Sequence, residues 1–410
     1  MNKKLLALAI AGAFVTPAAM ADTSNVVVGG QMHFSLDSLD GANAAGTGLT
    51  RKTNVSSNAS NIYFKGSEDL GNGLSAIFQV QTFFSAGGTG NADVGGLGGG
   101  LSSNQGVKDG VGSGNTFVGL KSNTMGTVIL GKNESPVKVL SRKVDLFNNE
   151  IGDSRNLTAM ASFGGALTTA GIGNTTSGSA GWDLRPANQI AYSSPSFSGF
   201  GFNAAYITNL GNGAAIDAGT SANANAVSAW ATSATYENGP IFAGLGYEKH
   251  KLSDLITTDN QNDENIWRAS AGYNFGSFKV VGLYQRERDM FINTSNNSAE
   301  RNVWGLGGAY NFMGANTIKV QYYKASSIKN TSGIANIDQT GAKLWAVGFD
   351  HALSKRTTVY AAYATTNNDR YANYSAFGGG HGDNPGTVTP SATQDSKDPS
   401  GFSVGVIHNF

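Results

Sequence analysis

The residues best placed to do chemistry lie in one stretch, from Lys132 to Arg155. It holds nine charged side chains of both signs: Lys132, Glu134, Lys138, Arg142, Lys143, Asp145, Glu150, Asp153 and Arg155. Residues 157–181 carry no charge and are mostly glycine, alanine, serine and threonine. A loop of this length is uncommon in a compact domain, and such loops are either disordered or functional. Charges gathered at a narrow passage would act on ions and polar solutes through their electric field.

The rest of the sequence contains few residues in patterns typical of catalysis or metal binding. The histidines are scattered, and none stands at metal-ligand spacing from another histidine or a carboxylate pair: His33, His250, His351, His381 and His408. The glycine-rich run at 95–100 lacks the Lys-Ser/Thr ending of a phosphate-binding loop. We therefore expect no enzyme, no cofactor and no metal site.

The rest of the chain is a succession of short segments in which apolar and polar residues alternate. From Asn25 onward we count sixteen of them, each near the roughly 9–11 residues that a tilted membrane strand needs. Short turns such as Asn238-Gly239 alternate with long polar connections such as 86–114 and 367–400. Short turns on one side and long loops on the other are typical of outer-membrane barrels. We predict an all-β fold, a sixteen-stranded antiparallel transmembrane β-barrel; the alternative is a soluble antiparallel sheet with one wet face.

The composition agrees with an exported strand-rich protein. Glycine makes up 56 of 410 residues, about twice the usual ~7%. The chain has no cysteine, and its formal charge of zero argues against a nucleic-acid-binding surface. The start of the chain predicts a signal peptide at 1–21, because it has two lysines (Lys3 and Lys4), then an apolar run at 5–15, then the cleavage pattern Ala19-Met20-Ala21. Residues 22–410 are then the barrel.

The final segment carries a specific pattern. Phe402, Val404, Val406, His408 and Phe410 share one face of a predicted strand. We expect that face to meet outer-membrane lipid. A terminal aromatic residue after such alternation resembles the signal that the barrel-assembly machinery reads, so we assign Phe410 to an assembly signal.

Several stretches, in this order, resemble one family. They are residues 61–81, Phe117–Lys121, Gly126–Lys132, 185–202 and Leu353–Thr357. The chain resembles Gram-negative outer-membrane porins of the beta-proteobacterial general-diffusion type. The resemblance implies a homotrimer in the outer membrane that lets ions and small hydrophilic solutes diffuse passively.

The resemblance also implies that the loop after the fifth strand, about 134–184, folds inward as a constriction loop. A sixteen-stranded barrel is wide, so some element must set its size limit. The candidate pore residues are Lys65, Lys132, Lys138, Arg142, Lys143, Asp145, Glu150, Asp153, Arg155 and Arg185. With Asp183 included, the loop charges nearly balance, which predicts a transverse field more than a one-signed gate.

The chain departs from the family at three wall positions. Asn61, Ile129 and Ala191 are uncharged where family members often carry basic residues. We therefore do not expect this chain to share the strong anion selectivity that the resemblance would otherwise imply. Two other functions stay open, a substrate-specific channel and a surface adhesin or receptor built on the same barrel.

Overall fold

A computed structural model of the chain describes residues 25–40, 52–84, 111–159, 182–208, 210, 228–251, 263–290, 299–330, 337–372, 374–378, 381 and 398–410. The predicted signal peptide lies outside these residues, as does the uncharged part of the predicted constriction loop at 160–181.

Sixteen antiparallel strands make up the described part of the chain. They are β1 (Asn25–Asp40), β2 (in two pieces, Lys52–Ser57 and Asn61–Gly71), β3 (Leu74–Phe83), β4 (Thr116–Ser122), β5 (Gly126–Lys132), β6 (Gln189–Ser193), β7 (Phe200–Ile207), β8 (Ala229–Asn238), β9 (Ile241–His250), β10 (Asn265–Asn274), β11 (Phe278–Met290), β12 (Ala299–Phe312), β13 (Asn316–Ala325), β14 (Ala342–Ala352), β15 (Thr357–Asn368) and β16 (Ser400–Asn409). Each strand pairs with the next. The last pairs with the first, from Gln31 opposite Asn409 to Asp40 opposite Ser400. The predicted closed sixteen-stranded barrel is confirmed.

Strand β2 is interrupted once. Both of its pieces pair antiparallel with β1, so they form one spanning strand. At the break Ala59 has a φ of 59°, and Asn58 Nδ2 donates to Ser35 Oγ at 2.8 Å. This side-chain hydrogen bond links the two strands where the break interrupts their backbone hydrogen bonds.

Side chains alternate between an exposed apolar outer face and a buried inner face. On β16, Phe402, Val404 and Val406 are exposed, whereas Ser403 and Gly405 between them are buried. The period of two puts alternate residues on opposite faces. The face predicted for this strand is therefore the outer one.

The barrel interior contains a packed apolar core as well as polar space. Two helices lie inside it, α1 (Pro136–Val144) and α2 (Arg155–Thr158), and a 3₁₀ turn spans Ile337–Gln339. Loop and wall residues form the core together, among them Val137, Val144, Leu157 and Trp182 from the loop and Val281, Val303 and Leu344 from the wall. Inward apolar residues on β11–β14 that do not fit a water-filled bore are explained by this packing. No described helix is long and apolar enough to cross a membrane.

Candidate pore constriction

The constriction loop leaves the wall after β5 and returns to it before β6. Backbone hydrogen bonds join its two ends: the Ser135 N–H donates to Leu184 O at 3.1 Å, and the Asn133 N–H to Pro186 O at 3.4 Å. The two ends of the loop therefore leave and rejoin the wall side by side.

Helix α1 begins at a cap that is itself tied to the wall. Ser135 Oγ accepts a hydrogen bond from the Val137 N–H at 3.2 Å, and Pro136 occupies the first turn, where no N–H is needed. The Ser135 hydroxyl also donates to Glu248 on β9. The start of the helix is therefore fixed to one strand of the barrel.

Glycines on β9 let α1 approach the wall closely. A Cβ at Gly244 would lie 2.5 Å from Leu140 Cδ2, and one at Gly246 would lie 2.8 Å from Leu140 Cδ1. Both distances are shorter than real Cβ atoms show. Glycine inside a strand often marks such a close approach. These two positions form a docking face for the helix.

Two buried arginines of the wall hold the loop backbone. Arg268 on β10 donates to Val137 O at 3.0 Å and forms an ion pair with Asp183. Arg301 on β12 donates to Leu157 O at 2.8 Å and pairs with Glu287 at 2.9 Å. Removing one partner of a buried pair leaves a charge uncompensated, which costs several kcal/mol. These contacts anchor the described part of the loop at Val137, Leu157 and Asp183.

The tip of the loop is anchored on the opposite wall by Lys319 and Gln321 of β13. Lys319 Nζ lies 2.6 Å from Glu150 Oε1 and 3.0 Å from Asp350 Oδ1. Gln321 Nε2 donates to Gly152 O at 2.8 Å. Burial raises the pKa of Glu150 to about 7, against the attraction of Lys319.

Two further acidic side chains, Asp145 and Asp153, are buried within the loop. Asp153 is fully buried and pairs with Arg142 at 3.0 Å and Arg155 at 2.8 Å. Burial opposes ionisation, yet these two guanidinium groups hold the Asp153 pKa well below its usual range. Burial, together with the neighbouring Asp153 charge, raises the pKa of Asp145 to about 6. The carboxylates of Asp145 and Asp153 are therefore enclosed within the loop.

A polar cavity of about 220 Å³ lies between the loop and the wall formed by β2 and β3. The residues lining it are Ala59, Asn61, Gln81, Phe83, Glu134, Lys138, Arg142, Asn148, Asn149, Arg155 and Arg185. Among these residues, four are basic and one is acidic. Arg185 Nη2 pairs with Glu134 Oε1 at 2.8 Å, and its guanidinium lies 5.0 Å from the Phe83 ring centroid.

Lys138 and Glu134 form an ion pair at 3.3 Å beside this cavity. Burial, together with the charge of Arg185, lowers the pKa of Lys138 to about 7. Burial alone would raise the pKa of Glu134, but Lys138, Arg185 and Arg142 bring it to about 2. Glu134 is therefore ionised at neutral pH, whereas Lys138 titrates there.

The remaining candidate residues lie elsewhere. Lys65 is exposed on the inner face of β2, with Nζ 5.3 Å from the Tyr63 ring centroid. Lys132 Nζ donates to Ser113 O at 2.7 Å. Lys143 Nζ pairs with Glu237 at 2.9 Å, and both side chains are about half exposed. Six candidates, namely Lys65, Lys132, Lys143, Asp145, Glu150 and Asp153, are not among the residues lining the cavity.

Comparison with known proteins fits this arrangement. A family profile described as Gram-negative porin matches residues 7–371. The chain belongs to the Gram-negative porin family. An outer membrane porin protein of Bordetella pertussis is 27% identical over 267 residues, which cover 62% of this chain and 61% of that porin. The major outer membrane protein P.IB of Neisseria gonorrhoeae is 33% identical over 153 residues, covering 36% of this chain and 37% of that protein. The matches thus span less than two thirds of either relative.

Solved porins share the fold. The anion-selective porin from Comamonas acidovorans superposes with a TM-score of 0.69 at 24% identity, covering 95% of this chain and 100% of that one. OmpF of Salmonella typhi gives a TM-score of 0.62 at 13% identity, covering 95% and 98%. The predicted family and the predicted outer-membrane location of this porin are confirmed.

Sequence reasoning missed several residues that hold the loop of this porin. Arg268, Arg301 and Gln321 all have inward parity on their strands and could have been noticed by alternation with outward residues such as Trp267. Their partners lie more than a hundred residues away in sequence, and no local pattern reveals them.

Proposed function

We propose that this porin forms a water-filled channel through which ions and small hydrophilic solutes diffuse passively across the outer membrane. The observation that carries the proposal is the polar cavity between the anchored loop and the wall formed by β2 and β3. The porin family and fold are those of channels rather than enzymes. The test is recording from purified protein in a planar bilayer. Stepwise conductance is expected, and a folded protein without conductance would favour an adhesin or receptor.

The constriction loop is the sieve in this proposal. Its apolar side packs on the wall and its basic side borders the cavity, so its position sets the free cross-section. Deleting residues 138–155 is expected to raise both the single-channel conductance and the largest sugar that enters proteoliposomes in a swelling assay. Unchanged values in a folded barrel would place the sieve elsewhere.

The channel is proposed to favour anions. Loop charges nearly balance in the sequence, but Asp145, Glu150 and Asp153 do not line the cavity, where four basic groups outnumber the one acid, Glu134. A net positive charge at a narrow, low-dielectric passage raises the local concentration of anions. One structural neighbour is described as anion-selective. The reversal potential in a salt gradient measures this preference, and saturable block by one solute would indicate a substrate-specific channel instead.

A homotrimer is proposed from the distribution of aromatic residues on the outer surface. One tryptophan or tyrosine per strand forms a row from β7 to β15: Tyr206, Trp230, Tyr247, Trp267, Tyr284, Trp304, Tyr322, Trp345 and Tyr363. Neighbouring rings in this row lie as close as 4.3 Å between centroids. Such girdles mark the membrane interface. In the described part of β16 and β1–β5, no tryptophan or tyrosine faces outward. That bare sector is where the other subunits would cover the barrel.

Because the chain lacks cysteine, single labels can test this assembly. A fluorophore on Val320→Cys, beneath the girdle, should be quenched by a lipid-soluble nitroxide. A fluorophore on Val118→Cys, which is 58% exposed in the isolated barrel, should be protected. Equal quenching at both positions would contradict a subunit contact at the bare sector.

A further inference from the structure

Two lysines face each other on the outside of the barrel. Lys324 on β13 stands directly opposite Lys343 on β14, and both side chains are exposed; they are called here the lysine pair. Like charges directly opposite each other on antiparallel strands are destabilising. Both strands are hydrogen-bonded on each side, so the lysine pair does not protect a sheet edge. An anion held between the two ammonium groups would remove their repulsion.

Other outward basic residues at this height have acidic partners. Lys249 Nζ on β9 lies 3.1 Å from Asp263 Oδ2, and Arg286 Nη2 on β11 lies 3.2 Å from Glu300 Oε2. Among the residues that the structure describes, neither member of the lysine pair forms a side-chain ion pair or hydrogen bond. The lysine pair is therefore a local excess of positive charge on the outer surface.

The lysine pair lies at the level of the lipid head groups. Each lysine is two residues from a ring of the aromatic row, and those rings, Tyr322 and Trp345, also stand opposite each other. Their centroids are 4.3 Å apart. Aromatic girdles mark the boundary between membrane and water. The lysines are on the side of the long connection 326–341, and the long connections of outer-membrane barrels are extracellular, so the lysine pair faces the outer leaflet.

An apolar groove of about 620 Å³ continues from these two rings toward the middle of the membrane. Its lining includes both rings and, on the same outward face, Leu306, Val320 and Val347. The outward Gly308 leaves the groove open, since only Lys279 O lies within 4 Å of a Cβ built there, at 3.9 Å. Positive charge above an apolar groove matches a lipid with an anionic head group better than a free anion.

We propose that this face of β12–β14 binds a phosphate-bearing lipid of the outer leaflet. The lysine pair holds the phosphate through charge-assisted hydrogen bonds, and an acyl chain of the same lipid lies in the groove. The bound phosphate offsets the repulsion between the two lysines. These strands lie outside the bare sector proposed for subunit contact, so the site stays accessible to lipid in a trimer.

The experiment measures lipid binding to the purified barrel in detergent by native mass spectrometry. The probes are diphosphorylated lipid A, the same lipid after removal of its phosphates, and inorganic phosphate. Lys324→Gln and Lys343→Gln should each weaken binding of the phosphorylated lipid, and together by about tenfold or more, because charge-assisted hydrogen bonds are lost. Binding of the dephosphorylated lipid should hardly change. Circular dichroism selects the variants that have folded.

Lys249→Gln is the matched control, because it removes an outward lysine at the same height where Asp263 is already the partner. This variant should bind phosphorylated lipid A like the parent. Gly308→Leu, which fills the groove, should weaken that binding without altering either lysine. In lipid-free detergent at low salt, the variant lacking both lysines of the pair should unfold at a higher temperature than the parent, because the repulsion is gone.

Equal binding of the two forms of lipid A to the parent would exclude a phosphate site. An equal loss in Lys249→Gln would reduce the effect to general surface charge, and unchanged binding in Gly308→Leu would exclude the groove. Displacement of the lipid by inorganic phosphate at equal concentration would indicate a free-anion site instead. Lipid binding is measured without current through the channel, so a barrel that does not conduct would contradict the proposed function and leave this result unaffected.

Discussion

Arg142 shows how single residues divide the charge of the loop between two tasks. Its guanidinium binds Asp153 at 3.0 Å inside the loop, and the same side chain borders the polar cavity. Asp153 is enclosed between two arginines and offsets part of their charge, so Asp153, Arg142 and Arg155 together present a net positive charge to the cavity. The sequence shows the number of charges, but their direction depends on which carboxylates are enclosed.

Arg185→Glu should shift selectivity toward cations. One charge reversed within the cavity, in partly screened surroundings, is expected to change the anion-to-cation permeability ratio by about five- to tenfold. The reversal potential in a gradient of low salt measures it, since the Debye length is only about 10 Å at 0.1 M. Lys65→Glu makes the same charge change on the inner wall outside the cavity and should have a much smaller effect. Equal shifts would mean that the whole bore, rather than the cavity, selects.

The anion preference should fall between pH 6 and pH 8. Burial lowers the pKa of Lys138 to about 7, so this lysine is charged below that pH and loses its proton above it. The cavity then has one positive charge fewer. Reversal potentials at fixed salt across this range measure the change, and Lys138→Met should flatten the profile. A parent profile that is already flat would show that Lys138 carries no field into the passage.

Among the elements, the constriction loop owes its place to small residues on the wall. Gly152 has a φ of 82°, and a Cβ there would lie 2.5 Å from Ala346 Cβ. Gly244 and Gly246 admit α1 in the same way. At these contacts the missing side chains make room for the loop.

Gly152→Ala should displace the loop tip from β14 toward the lumen and lower the single-channel conductance. The left-handed backbone costs about 1 kcal/mol for a residue other than glycine, and the clash adds about 1–3 kcal/mol. Gly276→Ala is the matched control: its φ is 85°, but nothing lies within 4 Å of the added Cβ. The thermal unfolding temperature should fall further for Gly152→Ala than for Gly276→Ala. Only Gly152→Ala should change the conductance. Identical behaviour of both would refute the contact.

The sequence predicted most of these elements and few of their inner contacts. Period-two alternation and turn residues placed all sixteen strands, because lipid outside imposes a regular pattern on every strand. No such regular pattern is imposed on the inward-facing residues. Val281 and Leu344 are apolar there because the loop covers them, and Arg301 is fully buried because it binds Leu157 O. The direction of loop side chains has no period, so neither the basic lining of the cavity nor the burial of residues 374–378 was predictable.

At the scale of the whole molecule, the barrel closes at a seam that includes the last residue. Gly30 and Phe410 exchange two backbone hydrogen bonds of 3.1 Å, and the Phe410 ring reaches over Gly30. The terminal residue therefore extends the pairing between β1 and β16. This contact gives Phe410 a place in the folded barrel besides its proposed part in the assembly signal.

Phe410→Ala separates these two parts. The backbone bonds at the seam remain, so refolding in detergent should reach a similar barrel with a loss of about 1–3 kcal/mol in stability. If Phe410 is an assembly signal, the yield in the outer membrane of cells should fall by far more than refolding does. Equal losses in both measurements would make Phe410 a packing residue alone.

The apolar core inside the barrel divides the wall into two sectors with different freedom to vary. The loop covers the inner face of strands β9–β14, so a new inward side chain there must fit a filled space. Strands β2 and β3 border the polar cavity on the inside, so a change of size or charge at their inward residues disturbs less packing. Related porins with different solute preferences should therefore differ mainly on the second sector, while the first sector keeps its glycines and its buried arginines.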